Sequence, residues 1–225
     1  MIHKNEIVGT NTEMLKEFTR SSGTLKPENI RPKNILQDAF THVKKQFSKG
    51  LEDYEWMLRQ LKSIRQDLQT QNIEDEFTIQ VYQYHAKLAI ANGDIGELNT
   101  CLTRLRDLYQ SVPSSDEAEF RSYHIFYCMF SGQDPELAQL PAEVARLDVI
   151  QNAIRIYRIY KRNDYYNFFK IYQDQCEENC RLMDLVIHKV RYVALCALRK
   201  GFSPPKRKPS TALPVVDSDD QVPTL

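Results

Sequence analysis

The chain has 225 residues, enough for one domain with a sizeable core and at most a small second domain. Its 30 basic and 30 acidic side chains cancel, so the whole molecule lacks the net field that attracts nucleic acid, membrane surfaces or acidic substrates. Only seven glycines, with aromatic residues interspersed along the chain, favour long helices over a turn-rich β fold. The composition therefore predicts an all-α protein.

The first 30 residues are mostly polar and predict a lead-in segment before the folded domain. A first helix is expected to open at Arg31-Pro32, because proline suits the first turn of a helix. Its apolar residues then recur at helical spacing until Gly50 ends the pattern. These residues are Ile35, Leu36, Ala39, Phe40, Val43 and Phe47.

A second helix is predicted from Glu52, with Lys62 and Arg65 on its outer face. A third, from about Glu76 to Asn92, is apolar on two sides, which predicts a central helix with neighbours on both. One side consists of Phe77, Val81, Tyr84 and Leu88, and the other of Ile79, Tyr82, Ala86 and Ala89.

Two turns share one pattern, at Asn92-Gly93-Asp94 and at Arg162-Asn163-Asp164. In each, an asparagine lies in the turn, an aspartate is suited to cap the next helix, and a large apolar residue is found four positions later, Leu98 or Phe168. The repetition predicts stacked helical hairpins of the PCI-like or TPR-like kind. A nearly engulfed helix is expected from Phe120 to Phe130.

A last long helix is predicted from about Glu178 to Lys200, so that the helical-repeat domain covers residues 31–202. Beyond it the composition changes to proline, serine, threonine and aspartate, which predicts a disordered tail over residues 203–225. No segment has the apolar length of a membrane span, and the N-terminus has no apolar leader, so neither membrane spanning nor secretion is expected.

No nucleophile elbow, phosphate-binding loop or dinucleotide fingerprint occurs in the sequence, so no catalytic residue, cofactor or small-molecule substrate is predicted. Cys176, Cys180 and His188 fall short of the four ligands of a structural zinc site, and no metal is expected. His85 and His124 have no catalytic partners at a recognisable spacing. Both are predicted to be buried, hydrogen-bonded side chains.

Basic residues on several predicted helices form a candidate face for nucleic acid or a protein partner. The alternative is an ordinary solvated surface, since acidic residues intersperse them. The candidate residues are Lys62, Arg65, Arg104, Arg106, Lys161 and Arg162, with Arg155 and Arg158 on the same helix as the last two. In the tail, the run Lys206, Arg207 and Lys208 is a candidate nuclear import signal.

The string from Leu61 to Ile73, LKSIRQDLQTQNI, resembles a signature of the SAC/GANP family. The resemblance begins at Ile7-Val8-Gly9-Thr10 and Arg31-Pro32, and extends over roughly residues 6–200. Further matching segments are EFTIQVY from Glu76, YHIFY from Tyr123 and NDYYNFF from Asn163.

This resemblance implies a PCI-like nuclear scaffold that works in mRNA processing, transcription or export. It also implies pairing with another PCI-type protein and a small acidic peptide of the Dss/Sem kind. The family's winged helix would begin after Lys200, and residues 201–225 do not resemble one, so we expect a chain without it.

The leading hypothesis is a non-enzymatic adaptor in the nucleus that acts by protein docking. The alternatives are a direct RNA-binding module, or a subunit of another PCI assembly of the proteasome-lid or signalosome kind.

Overall fold

A computed structural model describes residues 7–19 and 26–202, and within these ranges the regular structure is entirely helical. This confirms the all-α prediction. The α-helices are α1 (Lys33–Ser48), α2 (Tyr54–Thr70), α3 (Glu76–Asn92), α4 (Ile95–Leu108), α5 (Glu117–Ser131), α6 (Ala142–Ala145), α7 (Asp148–Lys161), α8 (Tyr165–Tyr172) and α9 (Glu177–Gly201). Short 3-10 turns occupy Pro27–Asn29 and Leu137–Gln139.

Four helices start in the same way, with an aspartate before the first turn whose carboxylate accepts a hydrogen bond from the third backbone N–H. These are Asp53, Asp75, Asp94 and Asp164. The capping predicted for Asp94 and Asp164 is confirmed. In both of their turns the preceding residue is left-handed, with φ of 68° at Gly93 and 55° at Asn163.

Helix α3 separates two hydrophobic clusters and contributes one face to each. Phe77 and Val81 pack with α1 and α2, whereas Ile79, Tyr82 and Ala86 pack with the rest of the chain. The predicted division of this helix into two apolar sides is confirmed, and it makes α3 the link between the halves of the core.

Consecutive helices pack side by side along the stack, except that α5 packs against α7, and the one-turn α6 also lies against α7. The long helix α9 packs on α8 and returns against α3 and α5, which closes the larger cluster. Helix α5 is therefore packed by α4, α7 and α9, as its continuous apolar sequence predicts. This arrangement confirms a stack of helical hairpins.

The segment over residues 7–19 lies across α2 and is bound by a buried ion pair. Arg31 has no exposed surface, and its guanidinium donates to Asp67 Oδ2 at 2.7 Å, Ser63 Oγ at 2.8 Å and the Met14 carbonyl at 3.2 Å. Lys16 Nζ donates to the other carboxylate oxygen of Asp67 at 2.5 Å. One carboxylate on α2 thus binds two basic residues, one of which lies in the segment over residues 7–19.

Gly9 lies directly against the backbone of Ile30, and a Cβ added there would be 2.2 Å from the Ile30 carbonyl oxygen. We therefore expect Gly9→Ala to displace the segment from α2 and to cost about 1–3 kcal/mol through overpacking. Hydrogen exchange should accelerate at the amides of Thr10 and Asn11, which donate to Pro27 and Ile30 carbonyls. Limited proteolysis would report the same release.

Gly96→Ala is the matched control, because a Cβ on Gly96 would meet its nearest atom at an ordinary 3.6 Å. It should leave exchange at Thr10 and Asn11 unchanged, since it lies in α4, away from the segment. Equal protection in the Gly9 and Gly96 variants would contradict the close packing of Gly9 on Ile30.

Candidate interaction surfaces

Five of the six predicted basic-face residues form ion pairs within the fold, two of them with the same carboxylate. The pairs are Lys62 with Glu97 at 2.7 Å, Arg65 with Glu97 at 2.7 Å, Arg104 with Glu74 at 2.6 Å, Arg106 with Glu136 at 3.3 Å and Lys161 with Asp134 at 2.9 Å. The structure therefore spreads these cations over separate local pairs and does not gather them into one positive face.

The prediction that Arg65 points outward is wrong. Its side chain is buried between α2 and α4, where it donates to Glu97 Oε2 and, at 3.1 Å, to Cys101 Sγ. Its guanidinium also lies over the Tyr82 ring, 5.4 Å from the centroid. The helical pattern of α2 alone places Arg65 at the edge of its polar face, but α4 covers that edge with an acidic partner.

His85 is fully buried as predicted, but the predicted hydrogen bond is absent from the described part of the chain. Glu97 Oε2 is 3.9 Å from its Nε2, beyond hydrogen-bond reach. Burial, reinforced by the charges of Arg65 and Lys62, lowers the pKa of His85 to about 2, so the imidazole is neutral. His124 is half-buried beside Cys128, and burial, with Arg106 next, lowers its pKa as well.

Arg162 is the exception among the predicted basic residues, since it has no ion pair within the described ranges. It lines an open groove of about 690 Å³ between α7 and the first turn of α8, together with Arg155 and Arg158. Amide side chains line it as well: Gln151, Asn152 and Asn167. The sequence identified the three arginines, but not the amide groups that α8 and the start of α7 place around them.

A second groove, of about 460 Å³, runs between α4, α5 and the connection that leads from α5 to α6. Its walls combine apolar and polar side chains, and the apolar ones include Leu105 from α4, Ile125 from α5 and Leu137 from the connection. The ion pair of Arg106 with Glu136 joins α4 to this connection. No sequence motif indicated this groove, because its connection carries no periodic pattern.

The last part of α9 presents an apolar face that is exposed among residues 7–19 and 26–202. The fully buried residues of α9 end at Val190, whereas Tyr192 is 69% exposed and Leu195 is 66% exposed. Leu198 and Phe202 are also exposed, and their spacing puts all four side chains on one side of the helix. This face is the longest run of large exposed apolar side chains on any described helix.

Within residues 7–19 and 26–202, no group of three or more histidine, cysteine or acidic side chains is arranged to bind a metal ion. In the same ranges, no helix combines the length and apolar character of a membrane span. Cys176 is exposed and directly precedes α9, and Cys180 lies in its first turn. The candidate import signal, Lys206 to Lys208, and the predicted tail lie outside the described residues.

The fold and these surfaces define a helical-stack protein whose exposed features include two grooves and an apolar helix end. The SAC3/GANP family model matches residues 2–217, so the chain belongs to the SAC3/GANP family. This bears out the resemblance carried by the string from Leu61 to Ile73.

Three relatives show the same relationship. The chain is 33% identical to a THP3 homolog of Schizosaccharomyces pombe, over 88% of this chain and 51% of that protein. It is 34% identical to a leukocyte receptor cluster member 8 homolog of Xenopus laevis, over 88% of this chain and 25% of that protein. It is 36% identical to Protein THP3 of Saccharomyces cerevisiae, over 61% of this chain and 30% of that protein. The chain therefore spans about half, or less, of the length of these relatives.

Proposed function

We propose that this protein is a non-enzymatic adaptor in nuclear mRNA processing, transcription-coupled steps or mRNA export, and that it acts by docking protein partners. Membership of the SAC3/GANP family supports the process, since the family resemblance implies such work. The observation that carries the docking role is the exposed apolar face at the end of α9.

The α9 face has the character of an interface. Tyr192, Leu195, Leu198 and Phe202 form one ridge, and large apolar side chains in a continuous exposed patch mark sites of association. A tyrosine and a phenylalanine within the ridge supply the aromatic anchors that dominate binding energy in many interfaces. The partner we propose for this face is another PCI-type protein, with a small acidic Dss/Sem-type peptide completing the assembly.

Leu195→Glu tests this proposal, because it puts a charge at the centre of the ridge without touching the buried core. We expect it to weaken the partner complex by about 2 kcal/mol or more, the scale of an interface hot spot. The measurement is affinity capture of the tagged protein from nuclear extract after nuclease treatment, with the bound proteins quantified by mass spectrometry.

The matched control is Leu51→Glu, since Leu51 is 63% exposed, close to the 66% of Leu195, but lies in the turn between α1 and α2. The control should retain the PCI-type partner that the Leu195 variant loses. Equal capture by both variants, or the absence of any PCI-type partner from the unmodified protein, would contradict the proposal. Co-migration with proteasome-lid or signalosome particles would instead favour a subunit of those assemblies.

A further inference from the structure

The arginines of the α7 groove form a regular stripe. Arg155, Arg158 and Arg162 lie at positions i+4, i+7 and i+11 from Gln151, so the four residues share one face of the helix. At 1.5 Å of rise per residue, the three arginines span about 10 Å along the axis. All three are exposed, and within the described residues none forms an ion pair.

Most of the other residues that line the groove are polar, and several of them form hydrogen bonds within the fold. Asn152 donates to Gln175 Oε1 at 2.8 Å, and Asn179 donates to the same oxygen at 3.1 Å, which ties the groove to the start of α9. Gln151 donates to the Ala145 carbonyl. These bonds hold the base of the arginine stripe in one conformation.

One carboxylate, Asp164, also lines the groove, but it is occupied by its own helix cap. Its oxygens accept from the Asn167 backbone N–H at 3.1 Å and from the Asn167 side chain at 2.7 Å. These hydrogen bonds, with a smaller contribution from the Arg162 charge, lower the pKa of Asp164. Asp164 forms no ion pair with Arg155 or Arg158 within the described residues, so it does not neutralise their guanidinium groups.

We propose that this groove binds the phosphate backbone of single-stranded RNA. Guanidinium groups pair with phosphate oxygens in a bidentate geometry. The three arginines together span about 10 Å, which matches two or three consecutive phosphates of an extended strand. The balanced charge of the whole chain leaves this local patch to supply the attraction.

An exposed aromatic side chain in the first turn of α8, the turn that also supplies Asn167 to the groove, favours RNA over an acidic protein segment. Tyr166 is 69% exposed and directly precedes Asn167, which lines the groove. Sites for single-stranded nucleic acids combine a basic groove with aromatic side chains on which bases stack, whereas an acidic peptide needs only the charges. Tyr166 thus gives the site a contact with bases next to its contacts with phosphates.

The test is fluorescence anisotropy of the purified chain with a labelled ten-nucleotide oligouridine across a salt series. Three phosphate contacts on a single strand predict a slope of log K against log salt of about −2, or a loss of affinity of more than about tenfold between 50 and 200 mM salt. Replacing Arg155, Arg158 and Arg162 together with glutamine should abolish this dependence and reduce binding at low salt at least tenfold.

The charge-matched control replaces three ion-paired surface arginines with glutamine: Arg59, Arg104 and Arg181. It should keep the slope near that of the unmodified chain. Equal losses in both triple variants would overturn the site, because the binding would then depend on net charge alone.

Tyr166→Ala separates RNA from an acidic protein ligand. It should weaken oligouridine binding about fivefold while leaving the salt slope unchanged, and Tyr192→Ala, also 69% exposed, should have no effect. A polyglutamate peptide that binds as tightly as the oligouridine and ignores Tyr166 would overturn the assignment to RNA. This proposal and the proposed α9 docking face can fail separately. Capture of a protein partner after nuclease treatment requires neither RNA nor the α7 groove.

Discussion

Replacing Asp67 with asparagine is expected to lower the free energy of unfolding by about 3–5 kcal/mol, the usual cost of removing one partner from a buried ion pair. The substitution leaves the guanidinium of Arg31, which has no exposed surface, without its counter-charge, and it also removes the partner of Lys16. Thermal unfolding followed by circular dichroism should show Tm falling by roughly 10 °C for a domain of this size.

Asp107→Asn is the control for this prediction, because Asp107 is exposed and its carboxylate lies 3.9 Å from Arg106 in a surface pair. It should change stability by less than about 1 kcal/mol. Adding Arg31→Met to the Asp67 variant should recover part of the lost stability, since it removes the unpaired buried charge. If the Asp67 and Asp107 variants had equal Tm values, the buried ion pair would contribute nothing to the stability of the fold.

The ion pair gives a structural meaning to the string that carries the family resemblance. Ser63, Asp67 and Gln71 recur every four residues on one face of α2 and its C-terminal turn, and all three bind Arg31. Gln71 also accepts from the Gly9 backbone N–H at 3.0 Å. The polar residues of the string therefore attach the N-terminal segment, while Leu61, Ile64 and Leu68 enter the core.

Local sequence rules are sufficient to predict the helices and much of their packing. The two apolar sides of α3 result from spacing alone, because residues three and four apart share a face of a helix. The caps at Asp94 and Asp164 result from chemistry within three residues, since the carboxylate needs only the next free N–H groups. Neither inference requires knowledge of the partner helices.

The basic face is not predictable in the same way, because ion pairing depends on helices far apart in the sequence. Arg65 meets Glu97 across 32 positions and Arg104 meets Glu74 across 30. Spacing along α2 or α4 contains no information about which acid the fold brings opposite each cation. The arginine stripe of α7 differs because no acid within the described residues pairs with Arg155 or Arg158, and this too is a property of the fold.

The contacts of the N-terminal segment are equally hard to predict, since most of them use the backbone groups of the segment itself. Thr10 and Asn11 donate to carbonyls of Pro27 and Ile30, and these bonds leave no periodic apolar pattern. The short polar sequence therefore predicts no more than a lead-in. In the structure, residues 7–19 lie against α2 because its buried polar side chains need partners.

Replacing Phe168 with alanine is expected to cost about 3–5 kcal/mol, as for other fully buried phenylalanines. Phe168 is 1% exposed and is the one fully buried residue of the eight-residue helix α8, so its ring is the deepest contact of that helix with the core. It also makes an edge-to-face contact with Phe169, with ring centroids 5.8 Å apart. Urea unfolding should show the lower stability, and hydrogen exchange should show its largest increase in α8.

Phe202→Ala is the matched control, because Phe202 is 83% exposed and the same atoms are removed without opening a cavity. Its free energy of unfolding should stay within about 0.5 kcal/mol of the unmodified chain. Equal destabilisation by the two variants would contradict the role of Phe168 as the anchor of α8. Since α8 carries Asn167 and Tyr166 beside the arginine stripe, release of this helix should also weaken oligouridine binding while the arginines remain in place.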